Sequence, residues 1–143
     1  MKCEETLNGI LMQVMRVHFL RTHSLLEETG LYHGQPPLLL LLEKENGQSQ
    51  KMLADKLKVK PSTINVMIKR MEKTELIERK QDENDQRTSR IFITEKGREK
   101  CKKLYEINEE MEKECLQNFT VEEKIIIRRL LIQIKDNLKS CMD

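Results

Sequence analysis

The sequence predicts a mainly α-helical fold carrying one small β-hairpin. Three observations predict it. Apolar residues recur at three- and four-residue steps through both ends of the chain. In the middle, two short helical patterns are joined by the tight link "KVK", and the second opens on Pro61. After Leu76 the period changes to two β-branched and aromatic runs, "LIERK" and "SRIFIT".

Taken in order, residues 6–28 read as a long helix. Leu7, Ile10, Leu11, Val14, Val17, Leu20 and Leu25 recur at helical spacing, with Arg16, Arg21 and Glu27 between them. Gly30 is a stop signal. "YHGQPP" is a turn leading into a helix start, since Pro36 and Pro37 suit a first turn whose backbone donors have no partner. The leucine run at 38–42 is too apolar to face water on any side, which predicts a buried central helix ending near "EKENG". Gly47 and Ser49 open a short helix with Leu53, Ala54 and Leu57 on one face. The helix from Pro61 places Ile64, Met67, Ile68 and Met71 at i, i+3, i+4 and i+7, an inward stripe. Ser62, Thr63, Asn65, Val66, Lys69, Arg70 and Lys73 are thereby turned outward.

Between the two strand segments lies "QDENDQRT", all polar and suited to an exposed hairpin tip. The last third is helical again. A polar helix carries a thin stripe of Leu104, Ile107, Met111 and Cys115. Thr120 with Glu123 forms a capping box for a final helix with Ile127, Leu130, Leu131, Ile134 and Leu138 on one face. The chain shows no internal repeat, low-complexity tract or Gly/Pro/Ser linker, so 143 residues read as one domain over 1–143.

Composition bounds the function. At 38% apolar and 35% charged, the chain is too apolar for disorder and too charged for a membrane protein. Five consecutive leucines fall far short of the roughly 20 residues of a membrane span. "MKCEETLNG" carries acids where a signal peptide needs a cationic flank and a hydrophobic stretch, which points to the cytoplasm. Cys3, Cys101, Cys115 and Cys141 have no CxxC spacing and read as free thiols. His18, His23 and His33 lack the spacing of zinc ligands, and neither metal nor cofactor is expected. No nucleophile–base spacing or glycine-rich phosphate loop supports an enzyme. The net charge of +2 is uneven: residues 51–100 hold fourteen Lys/Arg against nine Asp/Glu, a net of +5, and the remainder nets −3. A basic middle between acidic ends suits a polyanionic partner.

Helix, turn, basic helix and polar-tipped hairpin, in that order, are the layout of a winged helix-turn-helix. A helix entering the major groove needs small polar side chains near its N-terminus and longer cations further on. Ser62, Thr63 and Asn65 suit base edges and nearby phosphates, and an asparagine can pair with an adenine edge through two hydrogen bonds. Val66 shares that outward side, and Lys69 and Arg70 can neutralise phosphates. Arg87 at the hairpin tip can enter the narrow minor groove, provided that a flanking aspartate, Asp82 or Asp85, orients it instead of repelling the DNA.

Over nearly its whole length the chain resembles the MarR-type transcriptional regulators. "GQSQKMLADKLKVKPSTINVMIKRMEKTELIER" is similar to the family's helix-turn-helix. "DENDQRTSRIFITEKG" is similar to its wing, with the Asp85-x-Arg87 pair and the closing Thr94-x-x-Gly97. "GLYHGQPPLLLLL" resembles its second helix. The resemblance implies a homodimer, with residues 6–34 and 95–143 as the helical dimerisation region and 35–94 as the DNA-binding winged helix-turn-helix. It implies one recognition helix per subunit on half of a palindromic operator in double-stranded DNA, a repressor's role, and release by a small-molecule effector or oxidant. The effector cleft would lie between the first helix, the second and the start of the fifth, with His18, His23, Tyr32 and His33 as candidate lining residues. Cys3 would be a peroxide sensor by the same resemblance, but Glu4 and Glu5 disfavour a thiolate there. Cys101 lies among Lys100, Lys102 and Lys103, a better electrostatic setting, yet its helical position marks it as structural.

The chain departs from the family pattern in three places. Lys60 stands where a capping Ser or Thr is usual, Glu75 where a helix-ending glycine is common, and Gln86 where the wing often has a second cation. The dimer has a physical basis of its own. Ile125, Ile126, Ile127, Leu130, Leu131, Ile132 and Ile134 occupy more than one helical face, and a small monomer cannot bury them all. The competing function is a winged-helix module for protein–protein assembly without DNA.

Overall fold

Side chains just ahead of them set several of the helix starts. The computed structural model describes residues 2–142. After a short 3-10 turn at Cys3–Glu5, the first helix, α1, spans Leu7–Glu27. The Thr6 hydroxyl caps it by accepting the Gly9 N–H at 3.0 Å. Helix α2 covers Gln35–Lys44 with its prolines in the first turn. Helix α3, Gln50–Leu57, is capped by Ser49, whose hydroxyl accepts the Met52 N–H at 3.2 Å. Helix α4, Pro61–Lys73, has no side-chain cap, because Lys60 offers no acceptor. Helices α5 and α6 span Glu95–Cys115 and Val121–Met142. The capping box ahead of α6 is formed reciprocally: the Thr120 N–H donates to Glu123 Oε2 at 2.8 Å, and the Glu123 N–H to Thr120 Oγ1 at 3.1 Å.

The hairpin strands are β2, Ile77–Gln81, and β3, Ser89–Ile93, paired antiparallel from Ile77↔Ile93 to Gln81↔Ser89. A third strand joins them. β1, only Gln48–Ser49, pairs with the other edge of β3, which sets the order β1-β3-β2. Two residues carry no period, so sequence patterning does not reveal this strand. Gly47 leads into it at φ +72, where a Cβ would lie 2.8 Å from the Phe92 ring.

The chain divides into two compact units, Met1–Asn108 and Glu109–Asp143. In the first, Leu38, Leu39 and Leu42 of α2 form the middle of a core with Leu53, Ile64, Ile68, Met71, Ile91 and Cys101, all fully buried. Leu40 and Leu41 are partly buried against it, so the leucine run is sheltered all round. Cys101 and Leu104 of α5 are buried and Ile107 packs against the core, but Cys115 is exposed and is not part of that stripe. By contrast, the apolar stripe of α1 has little cover. Only Gly9 and Leu26 of this helix are buried. In the second unit α6 buries no residue at all.

The end of α4 accounts for Glu75. The Leu76 N–H donates to the Met71 carbonyl at 3.0 Å and the Glu75 N–H to the Glu72 carbonyl at 3.0 Å, a Schellman closure. Glu75 takes the left-handed position at φ 60 that glycine would occupy without strain. The exit to the wing is therefore kept despite the substitution. Thr94 and Gly97 pin the far end of the wing. The Thr94 hydroxyl donates to the Glu75 carbonyl at 2.6 Å and accepts the Gly97 N–H at 3.1 Å. A Cβ on Gly97 would come within 2.3 Å of the Leu76 carbonyl oxygen, so only glycine fits.

Candidate nucleic-acid interface

Helix α4 is sharply two-sided. Ile64, Ile68 and Met71 are fully buried, and Met67 is half-buried against the core. Ser62, Thr63, Val66, Lys69, Arg70 and Lys73 are exposed, as the spacing predicts. Asn65 differs from them: it is half-buried, and its Oδ1 accepts from Gln50 Nε2 at 3.4 Å. Gln50 in turn accepts from Arg79 Nη1 at 3.4 Å, and Arg79 forks onto Glu72 Oε1 through Nε at 3.2 Å and Nη2 at 3.0 Å. Sequence reasoning missed this chain of side chains, because Gln50 and Arg79 lie 29 positions apart and meet only through the fold.

The wing tip is ordered by two aspartates with separate tasks. Asp85 Oδ1 accepts the Arg87 backbone N–H at 2.9 Å, and its Oδ2 accepts the Thr88 hydroxyl at 3.2 Å. Asp85 thus shapes the turn that carries Arg87 and does not pair with the guanidinium, which is left at an exposed tip. Asp82 grips Arg90 instead, through Nε at 2.7 Å, and Arg90 Nη1 also donates to the Gly47 carbonyl at 2.9 Å. The Asn84 N–H, and after it Arg90, hold the Asp82 carboxyl below the usual carboxylate range. The hairpin register carried a signal for this pair, since Arg90 sits diagonally across the ladder from Asp82.

The residues suggested for an effector cleft divide into separate places. His33 stacks on Phe19 with centroids 3.9 Å apart and on His23 at 5.0 Å. Its Nε2 is buried without a partner, and burial, then the neighbouring His23, lowers its pKa. Tyr32 lies elsewhere, in a cleft of about 460 Å³ with Gly30, Gln35, Arg70, Lys73 and Thr74. His18 is exposed, and its carbonyl accepts from the Thr22 hydroxyl. The lysines flanking Cys101 do not activate it. The thiol is buried, and burial together with Glu43 pushes its pKa up to about 11.

Residues 31–89 match the family model described as MarR family. The chain is 30% identical over 113 residues to the uncharacterized HTH-type transcriptional regulator YybA of Bacillus subtilis, covering 79% of this chain and 75% of that one. The chain belongs to the MarR family. Its members and relatives are transcriptional regulators and not enzymes. This MarR-family chain is similar to a crystal structure of MarR with a TM-score of 0.80, at 26% identity, covering 99% of this chain and 96% of the other. It also shares the fold of the PcaV regulator from Streptomyces coelicolor, solved in complex with its natural ligand. There the TM-score is 0.73 and the identity 18%, over 95% of this chain and 96% of that one. Among the described residues of the MarR-family chain, no helix is long and apolar enough to cross a membrane.

Proposed function

We propose that this MarR-family regulator is a homodimeric repressor that binds a palindromic operator in double-stranded DNA and is released by a small molecule. One observation carries the DNA reading: the polar side of α4 is bare. Ser62, Thr63, Val66, Lys69 and Arg70 are exposed on the helix whose opposite side buries Ile64, Ile68 and Met71. In this reading Ser62, Thr63 and Asn65 meet base edges, with Val66 against thymine methyls. Lys69 and Arg70 neutralise phosphates and supply affinity with little sequence information. Arg87, on the turn that Asp85 shapes, enters the minor groove beside the site. Residues 35–94 would be the DNA-binding region.

Dimerisation through 6–34 and 95–143 is supported by apolar surface that the chain leaves uncovered. Leu7, Val17, Leu20, Ile125, Ile126, Leu131 and Leu138 are all exposed. A soluble monomer rarely shows so much, and a two-fold pairing would cover it while presenting two α4 helices to one duplex. Release by a small molecule is supported by the natural ligand of PcaV. That the relatives are named as transcriptional regulators favours DNA over a protein-assembly role.

Selection from random duplexes with the purified protein tests the proposal. Enrichment of an inverted repeat, with half-sites about one helical turn apart, is the expected result. Recovery of no preferred sequence at low salt would overturn it.

A further inference from the structure

The half-buried Asn65 is the end of a directional relay. Glu72 accepts two hydrogen bonds from the Arg79 guanidinium, at 3.2 and 3.0 Å. Arginine can only donate, so the atom of Gln50 that faces Arg79 Nη1 at 3.4 Å must be its oxygen, Oε1. The other end of the planar Gln50 amide is then its NH2. That group faces Asn65 at 3.4 Å, so Asn65 turns its own oxygen inward to accept. The acid–arginine pair therefore decides, through one glutamine, which end of the Asn65 amide looks outward.

We propose that Gln50 and Arg79 are positioning residues that hold Asn65 with its NH2 group toward the DNA, so that this position selects guanine over cytosine. The inference rests on the DNA reading of α4 above. In the major groove guanine presents the acceptors N7 and O6, thymine the acceptor O4 and adenine the acceptor N7 beside its amino group, whereas cytosine presents only an amino donor. An amide whose oxygen is engaged by Gln50 offers its donor to any of these acceptors and meets cytosine alone donor to donor. The two-bond pairing with adenine expected from the sequence needs the Asn65 oxygen turned outward, and the relay opposes that.

The test repeats the duplex selection with wild type, Asn65→Ala, Gln50→Glu and Arg79→Gln. Asn65→Ala locates the base position by flattening preference there. Wild type is expected to favour guanine over cytosine at that position by about tenfold. In Gln50→Glu the new carboxylate accepts from both Arg79 and Asn65, which turns the Asn65 oxygen outward. The preference should reverse to cytosine over guanine. Arg79→Gln removes the donor that sets the direction, and the preference should fall toward parity. The added negative charge of Gln50→Glu weakens all sequences alike and cancels in the ratio. If wild type enriches no site, the DNA reading fails and the relay with it. An enriched site at which wild type favours cytosine over guanine, or whose guanine-to-cytosine preference is the same in Gln50→Glu and Arg79→Gln as in wild type, overturns the relay alone.

Discussion

Asp82 and Arg90 clamp the neck of the wing: the guanidinium donates to the carboxylate at 2.7 Å while its other arm reaches the Gly47 carbonyl at 2.9 Å. One arginine thus ties the hairpin tip to the strand edge that precedes α3. Arg90→Ala should loosen the tip without unfolding the core, speeding amide exchange at Asp82 and Thr88 several-fold while the α2 leucines stay protected. The same clamp sets an acid limit. A carboxyl held below its ordinary value stabilises the fold above that value and loses the contribution as pH falls through the depressed one. Wing resonances should therefore be unchanged from pH 7 to about 5 and disorder only below about 4. Wing disorder setting in near neutral pH would show that another group controls it.

Glu75 gives the opposite kind of handle. Its left-handed backbone at φ 60 sits in a closure that glycine satisfies without strain. Glu75→Gly should stabilise the protein by about 1 kcal/mol, seen as a rise in melting temperature of roughly 2–4 °C. A fall would mean that the carboxylate makes a compensating interaction.

Lys69 and Arg70 are expected to act as phosphate contacts. Lys69→Ala and Arg70→Ala should weaken binding to every duplex alike and reduce the salt slope of log K by about 1 each. Unchanged slopes in a salt titration would remove both residues from the interface.

The bare apolar side of α6 predicts where a dimer breaks. Leu131 is 49% exposed. Leu131→Glu should give a folded monomer in sedimentation equilibrium, with helical circular dichroism retained. A variant that still sediments as a dimer would place the interface elsewhere.

Cysteine chemistry separates by burial. Cys3, Cys115 and Cys141 are exposed and Cys101 is buried, with a thiol pKa pushed up to about 11. Iodoacetamide at pH 8 should label Cys3, which lies outside the proposed dimerisation segments, in the native protein and leave Cys101 until denaturant is added. Rapid native labelling of Cys101 would contradict the packing around Glu43.

Helical and strand periods are local properties, so the sequence by itself determined the two-sided α4, the buried leucine helix, the capping box at Thr120–Glu123 and the two strands of the wing. Most of the candidate DNA-facing residues followed from that one inward stripe. Contacts between distant positions follow no local period, and these the tertiary structure decided. It added the two-residue strand at Gln48–Ser49, gave Asp82 to Arg90 and Asp85 to the turn backbone, and turned the Asn65 oxygen toward Gln50. It also left the stripes of α1 and α6 largely bare. An apolar period shows that a face must be covered; only the packed chain shows whether its own residues cover it.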